Sequence, residues 1–400
     1  MKICIFTETY HPVVGGGETQ ARLLAEGLAA HGHSVIVLTR RSDPSLKSYE
    51  QYEDVEVYRL PPIGKGHLKK WGLLISGFAK FIHLREQYDL IFVAGYRIIG
   101  MTAVLAGKLL GKRVILKADS QGEMSGEFFM SGLRKFGVSP SSSFFKLFIA
   151  FRNFILKKAE AFSAISTEIA SEWTSSGISS RKVHLIPNCV DTHRFIPVAR
   201  EQKLLLREKL NLPRDRFIAI YTGRLVSYKG LPLLLRVWNE LLNKHQNALL
   251  VLVGTGGLDI HDCERELHEY VKSHQLENHV LFTGVVQNVP QYLQASDIFV
   301  FPTENEAFGS SVVEAMACAL PVITTTVGAL KCIITNGANG ILIQPGSHTQ
   351  LFESLDAMIS NVERSLQLGQ AARLTVLDQY SAEGSTAKYL TLFQSTLNSQ

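Results

Sequence analysis

The chain has 400 residues, of which 46% are hydrophobic and 19% are charged. This composition excludes an intrinsically disordered protein, and the length allows two domains that each bury a core. The net charge of +5 is too dilute to indicate nucleic-acid binding, although it favours anionic substrates or an anionic membrane surface. The five cysteines form no C-x-x-C pair, which argues against a zinc or redox motif and favours a reducing cytoplasm.

The N-terminus runs directly into a short apolar strand and lacks the cleavage region of a signal peptide. The most apolar long stretch, Phe144 to Ile155, is interrupted by charged and amide side chains and is too short to span a bilayer. We therefore expect a cytoplasmic protein without a transmembrane helix.

The first half of the chain alternates short apolar runs with helical spacing, which is typical of a doubly wound parallel sheet. A glycine run, Gly15-Gly16-Gly17, follows the first apolar run, and the helix after it ends at His31-Gly32-His33. The predicted strands are Lys2 to Thr7, Ser34 to Thr39, Leu90 to Ala94, Val114 to Ala118, Ala161 to Ile165 and His184 to Pro187. We predict a Rossmann-like domain over residues 1–193.

The second half repeats this rhythm after a polar stretch, Arg194 to Leu210, where we place the domain boundary. The predicted strands are Phe217 to Thr222, Ala248 to Gly254, Val280 to Thr283, Ile298 to Pro302 and Val322 to Thr325. We predict a second Rossmann-like domain over residues 194–378. The tail from Ala371 to Leu397 has helical periodicity without a strand, so residues 379–400 should form a helix that packs back on the first domain.

The segment from Glu306 to Glu314 places two carboxylates eight residues apart across a Phe-Gly turn that should open a helix. Backbone N–H groups from Phe308 to Ser311 would then lack intrahelical partners and point at a ligand. An anion suits a helix N-terminus, and carboxylates beside it can accept hydrogen bonds from sugar hydroxyls. The alternative is a plain helix start whose acidic residues offset the macrodipole.

Two cations follow the predicted strand Phe217 to Thr222, at the carboxyl end where parallel α/β sheets bind ligands. Arg224 provides a two-pronged guanidinium and Lys229 a point charge, and this combination suits a diphosphate. The alternative is a solvated loop with two surface charges. The glycines at 15–17 likewise fit either a backbone that approaches a phosphate or a simple tight turn.

Taken in order, these motifs and several others resemble those of family 4 glycosyltransferases. The set comprises Thr9-Tyr10-His11-Pro12 with Gly15-Gly16-Gly17, His31-Gly32-His33-Ser34-Val35, Pro187-Asn188-Cys189-Val190-Asp191, Gly223-Arg224 with Lys229-Gly230, Glu306 to Glu314 running into Ala315-Met316-Ala317, and Asn339-Gly340. It covers nearly the whole chain. The resemblance implies an α/β protein of GT-B fold, with two Rossmann-like domains whose parallel sheets face across a deep cleft and a C-terminal helix that crosses back.

The resemblance also implies a nucleotide-sugar donor held mainly by the C-terminal domain, an acceptor held mainly by the N-terminal one, and retention of anomeric configuration. Arg224 and Lys229 match the pair that neutralises the donor diphosphate. Glu306 matches the glutamate beside the transferred sugar, and Glu314 the one beside the ribose. The remaining donor-binding positions that it implies are Gly16 and Gly17 at the phosphates, Phe282 and Gly284 near the base, and the backbone of Phe308, Gly309 and Ser310.

The chain departs from the family pattern at three positions. Many relatives carry a histidine where this chain has Asp119, just after the strand that ends at Ala118. Asp119 either orients acceptor or sugar hydroxyls, for which we count it among the catalytic candidates, or simply terminates the strand. Cys189 and Ala319 stand where glycine is common, and because both are small we expect the backbone path to survive.

We expect no metal cofactor. The chain has no D-x-D motif, and its nearest approaches, Asp54-Val55-Glu56 and Asp262-Cys263-Glu264, lie away from every donor motif. His31 and His33 lack acidic or thiol neighbours and fit a surface turn. Fixed cations should therefore do the work that a metal ion does in other transferases.

Two stretches raise the question of membrane contact. Lys65 to Arg85 mixes cations with aromatic residues, which fits a helix at a membrane interface or an ordinary amphipathic helix. The second stretch carries phenylalanines at helical spacing, which favours core packing over an acceptor or membrane face. These are Phe144, Phe145, Phe148, Phe151 and Phe154. Peripheral contact with the inner membrane face stays open as a prediction.

We therefore predict a retaining glycosyltransferase that moves a hexosyl or N-acetylhexosaminyl group from a UDP- or GDP-sugar to a hydroxyl of a glycan, glycolipid or small acceptor. Polysaccharide or glycoconjugate biosynthesis is the expected setting, without a nucleic-acid partner. The alternatives are a non-catalytic nucleotide-sugar-binding protein and a Rossmann oxidoreductase, although Gly15-Gly16-Gly17-Glu18 does not match G-x-G-x-x-G.

Overall fold

The computed structural model describes residues 1–13, 15–64, 67–129, 142–257 and 259–398. It divides into two compact units: unit 1 is Met1–Asn188 together with the residues from Ala382 onward, and unit 2 is Cys189–Ser381. Each unit is a parallel or mostly parallel sheet with helices packed on it, so the prediction of two Rossmann-like α/β domains is confirmed. The chain passes from unit 1 to unit 2 at residues 188–189, where the sequence analysis places the boundary at 193–194.

The sheet of unit 1 has the strand order β3-β4-β2-β1-β5-β6-β7-β8. Its strands are β1 (Lys2–Thr7), β2 (Ser34–Arg40), β3 (Tyr49–Tyr52), β4 (Val55–Leu60), β5 (Leu90–Ala94), β6 (Arg113–Lys117), β7 (Ala161–Ala164) and β8 (Val183–Leu185). Every neighbouring pair is parallel except β3 with β4. The central strands β1 and β5 are buried except at Lys2, the first residue of β1, as expected for a parallel sheet covered on both faces.

The helices of unit 1 are α1 (Gly16–Ala30), α2 (His67–His83), α3 (Ile99–Leu110), α4 (Ser143–Leu156), α5 (Thr167–Ser175) and α14 (Ala382–Asn398). The last of these packs on α1, where a Cβ on Gly27 would lie 2.3 Å from Thr386 Oγ1. Tyr389 meets the ring of Phe92 edge to face, and its hydroxyl lies 2.9 Å from Ser163 Oγ. The C-terminal helix therefore returns to the first unit, as predicted.

The sheet of unit 2 is parallel throughout and has the order β11-β10-β9-β12-β13-β14. Its strands are β9 (Phe217–Thr222), β10 (Ala248–Val253), β11 (Val280–Gly284), β12 (Ile298–Phe301), β13 (Val322–Thr325) and β14 (Ile341–Ile343). Its helices are α6 (Arg200–Lys209), α7 (Leu231–Leu241), α8 (Glu264–Ser273), α9 (Val289–Ala295), α10 (Ser310–Ala317), α11 (Leu330–Ile333), α12 (His348–Ser360) and α13 (Val362–Gln379).

Three strands have no counterpart in the sequence prediction: β3, β4 and β14. The first two are an edge pair in which charged residues alternate with apolar ones, and β14 has only three residues, so none presents the continuous apolar run of a buried strand. The predicted tail helix is also divided. It becomes α13 and α14, which belong to different units and are separated by Tyr380-Ser381.

The prediction that the phenylalanines of α4 pack in the core is wrong for most of them. Phe145 is buried and Phe148 is half-buried, but Phe144, Phe151 and Phe154 are exposed. The inward face of α4 consists instead of residues such as Ile149, Ile155 and Leu156. In the stretch from Lys65 to Arg85, which the sequence analysis considers for membrane contact, Lys65 lies outside the described residues. Within the described part of the chain, no helix combines the length and apolarity that crossing a bilayer would require.

Ala319, where relatives carry glycine, has a φ of +58° and so keeps the left-handed backbone that glycine would adopt more easily. The close packing around it is also preserved, because a Cβ on Gly369 of α13 would lie 2.1 Å from the Ala319 carbonyl oxygen. At this position the backbone path survives the substitution. Cys189 is buried at the start of unit 2.

Candidate functional site

Each sheet has a point where the strand order reverses, and α/β sheets bind ligands in the crevice that opens there at the carboxyl ends of the strands. In unit 1 the reversal lies between β1 and β5, and in unit 2 it lies between β9 and β12. Most of the site residues predicted from the sequence lie in the loops that follow these four strands. The fold therefore positions two candidate sites, one in each unit.

In unit 2, Lys229 and Glu306 form an ion pair at this reversal. The Lys229 ammonium donates to Glu306 Oε2 at 2.9 Å and to the Asn305 carbonyl at 3.1 Å. Lys229 is mostly buried, and its ammonium lies over the ring faces of Tyr228 and Phe301. The loops after β9 and β12 thus hold a largely desolvated cation beside a carboxylate.

Glu306 also organises the start of α10. Its Oε1 accepts the backbone N–H groups of Ala307 at 2.9 Å and Phe308 at 3.2 Å. The expectation that the N–H of Phe308 points at a ligand is therefore wrong, because the carboxylate of Glu306 already satisfies it. Among the described residues, the N–H groups of 309–311 have no hydrogen-bond partner. These donors, together with the helix dipole, favour an anion at the start of α10.

Arg224 lies on the loop after β9 with most of its side chain exposed. Its guanidinium forms an ion pair with Asp259 and donates to Tyr228 Oη at 2.8 Å. Tyr228 links the two cations, because its ring also lies under the Lys229 ammonium. Neither partner of Arg224 was predicted from the sequence. A diphosphate bound here would have to compete with Asp259 for the guanidinium.

The segment Asp262-Cys263-Glu264 packs against the loop after β9, so the expectation that it lies away from the donor motifs is wrong. The N–H of Cys263 donates to the Leu225 carbonyl at 3.1 Å. The Glu264 carboxylate is already engaged, since it accepts from Thr255 Oγ1 at 2.6 Å and from the Gly256 N–H at 2.8 Å. In the described ranges, no three His, Cys, Asp or Glu side chains are grouped as a metal site would need.

Glu314 lies one turn into α10 and is half-buried. Burial raises its pKa to about 7, and the charge of Arg194 opposes that shift. Its carboxyl group has no hydrogen-bond partner within the part of the chain that the structure describes. A carboxyl group in this state can gain hydrogen bonds from the hydroxyls of a ligand.

Phe282 and Gly284 end β11, at the edge of the sheet. Phe282 stacks on His268 with ring centroids 3.9 Å apart, and the Gly284 carbonyl accepts the Gly254 N–H at 2.9 Å. A Cβ on Gly254 would lie 1.9 Å from the Gly223 carbonyl oxygen, so the loops after β9 and β10 touch backbone to backbone. Gly254 was not predicted as a site residue, although a glycine-rich turn directly after a predicted strand is a signal for a ligand loop.

In unit 1, Gly17, Gly95 and Asp119 meet near the reversal between β1 and β5. A Cβ on Gly17 would lie 3.0 Å from Asp119 Oδ2, and one on Gly95 would lie 2.5 Å from it. Lys117 Nζ pairs with Asp119 Oδ1 at 3.1 Å. Gly16, in contrast, has no atom within 4 Å of such a Cβ. The structure therefore brings Gly17 to Asp119 and leaves Gly16 in open space.

A second carboxylate lies over the glycine run of unit 1. The Glu18 side chain accepts a hydrogen bond from the Thr9 hydroxyl and occupies the space beside Gly15. Together with Asp119 it gives this loop two carboxylates. Carboxylate oxygens in this loop can accept hydrogen bonds from ligand hydroxyls, and Lys117 balances the charge of Asp119.

Beside Asp119, a buried carboxyl group anchors an arginine that the sequence analysis missed. Glu123 Oε1 accepts from Arg97 Nε and from Ser120 Oγ, both at 3.0 Å. Burial raises the pKa of Glu123, against the opposing charge of Arg97. The Arg97 guanidinium also stacks on the ring of Phe128, 3.9 Å from its centroid, and remains partly exposed.

Comparison with known proteins finds family models that match both halves of the chain. The model of Glycosyltransferase Family 4 matches residues 14–194, and that of Glycosyl transferases group 1 matches residues 202–375. An uncharacterized glycosyltransferase of Methanocaldococcus jannaschii is 27% identical over 390 residues, which are 95% of each chain. The N-acetyl-alpha-D-glucosaminyl L-malate synthase of Bacillus anthracis is 22% identical over 397 residues, covering 97% of this chain and 96% of its own.

Among solved structures, Anabaena Alr3699/HepE in complex with UDP has a TM-score of 0.78 and 20% sequence identity, covering 99% of this chain and 100% of that one. This likeness extends over both units.

Proposed function

Because the chain belongs to glycosyltransferase family 4 and has the GT-B fold of two parallel-sheet α/β domains, we propose that it transfers a sugar from a nucleoside-diphosphate sugar to an acceptor hydroxyl with retention of anomeric configuration. The observation that carries this proposal is the Lys229–Glu306 pair at the strand reversal of unit 2, beside unpaired N–H groups at the start of α10. In this arrangement the lysine and the N–H dipoles can bind an anion, and the carboxylate can accept a hydrogen bond from a hydroxyl group.

In the proposed reaction, unit 2 binds the donor. The diphosphate receives the charges of Lys229 and Arg224 and the N–H groups of 309–311. As the bond from the sugar to the phosphate lengthens, negative charge grows on the leaving diphosphate, and these fixed groups stabilise that state more than the ground state. The UDP bound to the structural neighbour supports a uridine nucleotide as the first donor to test, with a GDP-sugar as the alternative.

The two glutamates of unit 2 have different proposed roles. Glu306 is held by Lys229 and by two backbone N–H groups, so its orientation is fixed before the donor arrives, and we assign it to the transferred sugar. Glu314 has a free carboxyl group of raised pKa, and we assign it to the ribose hydroxyls. Phe282 and Gly284 are assigned to the base, and Gly309 and Ser310 to the phosphates.

Unit 1 is proposed to hold the acceptor. Asp119 and Glu18 present carboxylates that can accept hydrogen bonds from hydroxyl groups, and the absence of a side chain on Gly17 leaves room for the Asp119 carboxylate. The resemblance instead implies Gly16 and Gly17 at the donor phosphates, and for Gly16 that role stays a proposal. The leaving phosphate is proposed to take the proton of the acceptor hydroxyl on the same face of the sugar, which accounts for retention without a protein nucleophile.

No divalent metal is proposed, because Arg224 and Lys229 supply the positive charge and the nearby Glu264 carboxylate is engaged by Thr255 and Gly256. We also propose a cytoplasmic location and an acceptor that belongs to a glycan, a glycolipid or a small molecule, such as those of polysaccharide or glycoconjugate synthesis. The transferred group is proposed to be a hexosyl or N-acetylhexosaminyl unit.

The test is to incubate the purified chain with UDP- and GDP-sugars and a panel of acceptors, with and without excess EDTA. Proton NMR of the product then gives the anomeric configuration. We expect transfer with retention that EDTA does not change, and losses in Arg224→Ala that exceed those in Arg224→Lys, because lysine restores the charge but not the two-pronged geometry.

Three outcomes would overturn parts of this proposal. Inversion of configuration would exclude the same-face step, and loss of activity with EDTA that Mg²⁺ or Mn²⁺ restores would exclude metal independence. Donor binding without transfer or hydrolysis, over the whole panel, would favour a non-catalytic nucleotide-sugar-binding protein.

A further inference from the structure

The outer face of α4 in unit 1 is apolar and exposed. Phe144, Leu147, Phe151 and Phe154 follow one another at helical spacing, with 79%, 70%, 60% and 62% of their surfaces exposed. Single exposed apolar residues are common on proteins, but a contiguous row of large ones is not. The row is separate from the inward face of the helix, which is already packed on unit 1.

The neighbouring helix α2 extends this row. The ring of Trp71 lies 6.4 Å from the ring of Phe148 on α4, so the two helices are adjacent there. Trp71 and, one turn later, Ile75 are themselves exposed. We call the six residues Phe144, Leu147, Phe151, Phe154, Trp71 and Ile75 the apolar face. Among the described residues, no other element covers it.

The helices that carry and adjoin the apolar face have cations but no acidic residues. The helices α2, α3 and α4, which contact each other in unit 1, contain no aspartate or glutamate. Lys146 lies exposed within the row on α4, and Lys157 and Lys158 are exposed just beyond its end. The Lys158 ammonium lies 4.4 Å from the centroid of the Phe154 ring. Of the nearby acidic groups, Glu160 is already paired with Lys108 at 2.5 Å.

A comparison within the chain shows that this pattern is specific. Helix α13 of unit 2 also exposes leucines, including Leu366 and Leu374. It carries charges of both signs, however, among them Glu363, Arg364 and Asp378. Helix α4 combines exposed large aromatic side chains with cations and has no acidic residue, whereas α13 does not show this combination.

We propose that the apolar face docks unit 1 on the surface of an anionic lipid bilayer. The aromatic and aliphatic side chains enter the boundary between headgroups and acyl chains, and the bordering lysines bind the lipid phosphates. The helix lies in the plane of the surface and does not cross the bilayer. This role does not depend on the proposed transfer reaction, since none of the six residues belongs to the candidate sites.

The test is flotation of the full chain with neutral phosphatidylcholine vesicles and with vesicles containing phosphatidylglycerol, at low and physiological salt. We expect binding to the anionic vesicles that weakens as salt rises, because screening acts within a Debye length of about 8 Å at physiological ionic strength. Leu147→Ser/Phe151→Ser should reduce partitioning by about tenfold or more, from the lost apolar burial. Lys157→Gln/Lys158→Gln should reduce it by roughly fivefold per lysine.

Matched controls lie in unit 2. Leu366→Ser/Leu374→Ser removes two exposed leucines from α13, and Lys209→Gln/Lys272→Gln removes two exposed lysines, and neither pair should change partitioning. Circular dichroism and thermal unfolding establish that each variant is folded. Sedimentation velocity measures self-association of the same samples.

Any of three results would overturn the proposal. The first is failure of the wild-type chain to float with anionic vesicles. The second is a loss of binding in the control variants as large as in the α4 variants. The third result is a wild-type dimer that does not float and that Leu147→Ser/Phe151→Ser dissociates, which would make the apolar face an interface between two copies.

Discussion

The crevices at the two strand reversals differ in the charge that they present. In unit 2, a buried lysine paired with Glu306 and an exposed arginine paired with Asp259 lie at the strand reversal, beside the unpaired N–H groups at the start of a helix. In unit 1, two carboxylates line the glycine loop, and the nearby cation Lys117 is paired with Asp119. We propose an anion site in unit 2 and a hydroxyl site in unit 1, and the residues that distinguish them belong to loops rather than to the sheets.

The largest expected effect is at Lys229. Lys229→Ala should slow transfer by roughly 100- to 1000-fold, because it removes a fixed charge from the leaving diphosphate. Lys244→Ala is the matched control, since that lysine also forms an ion pair in unit 2 but lies outside the candidate site. Steady-state transfer assays measure the rates, and thermal unfolding checks that the unpaired Glu306 does not unfold the protein. A fully active Lys229→Ala enzyme would contradict the proposal of an anion site in unit 2.

Asp119 tests the role of unit 1. Asp119→Ala should lower kcat/KM for the acceptor by about 10- to 100-fold, the range expected for losing hydrogen bonds to a charged group, and leave UDP affinity unchanged. Asp89→Asn, an exposed aspartate of the same unit, serves as the control. If Asp119→Ala instead weakened UDP binding and left acceptor kinetics intact, Asp119 would belong to the donor site and not to the acceptor site.

Glu314 should make donor binding depend on pH. Because burial raises its pKa to about 7, its carboxyl group is protonated below that pH and charged above it. The affinity for UDP should therefore rise with pH up to about 7 and then level off, with a change of up to about tenfold per pH unit on the acidic side. Calorimetry from pH 5.5 to 8.5 on wild type and Glu314→Gln separates this effect from titration of UDP itself. Equal pH profiles in the two proteins would contradict the ribose assignment.

The smallest effect distinguishes two adjacent glycines. A methyl group on Gly17 would crowd Asp119 Oδ2 at 3.0 Å, whereas one on Gly16 meets no atom within 4 Å. Gly17→Ala should therefore reduce transfer by about threefold to tenfold, since a contact in this range needs a shift of only a few tenths of an ångström. Gly16→Ala should be neutral, or slightly stabilising at the start of α1. Equal losses in both variants would show that Gly16 also faces a ligand.

The placement of Arg224 and Glu306 just after strand ends could be predicted from the sequence because it depends on local signals. A strand followed by glycines and cations, as at Gly223-Arg224, or a carboxylate before a Phe-Gly helix start, as at Glu306, can be recognised without a structure. The partners of these residues could not be predicted, because they come from distant segments. Asp259 reaches Arg224 from 35 residues away, and Asn305 reaches Lys229 from 76 residues away.

Exposure was the other property that the sequence left undetermined. Helical spacing on α4 shows that a row of phenylalanines shares a face, but not whether that face meets the sheet or the solvent. The answer depended on which residues pack inward, and Ile149 and Leu156 took that position instead of Phe151 and Phe154. Periodicity gives the faces of a helix, and only tertiary packing decides which of them is buried.

Helix α14 has a consequence for the order in which the protein is made. Tyr389 and Phe393 complete the core of unit 1 around Phe92, so this core lacks part of its apolar surface until α14 has been synthesised. Unit 2 is continuous in sequence from Cys189 to Ser381 and has all its strands before then. During translation, the unit that begins second is therefore the first whose core can close, and the core of unit 1 is completed only after α14 has been made.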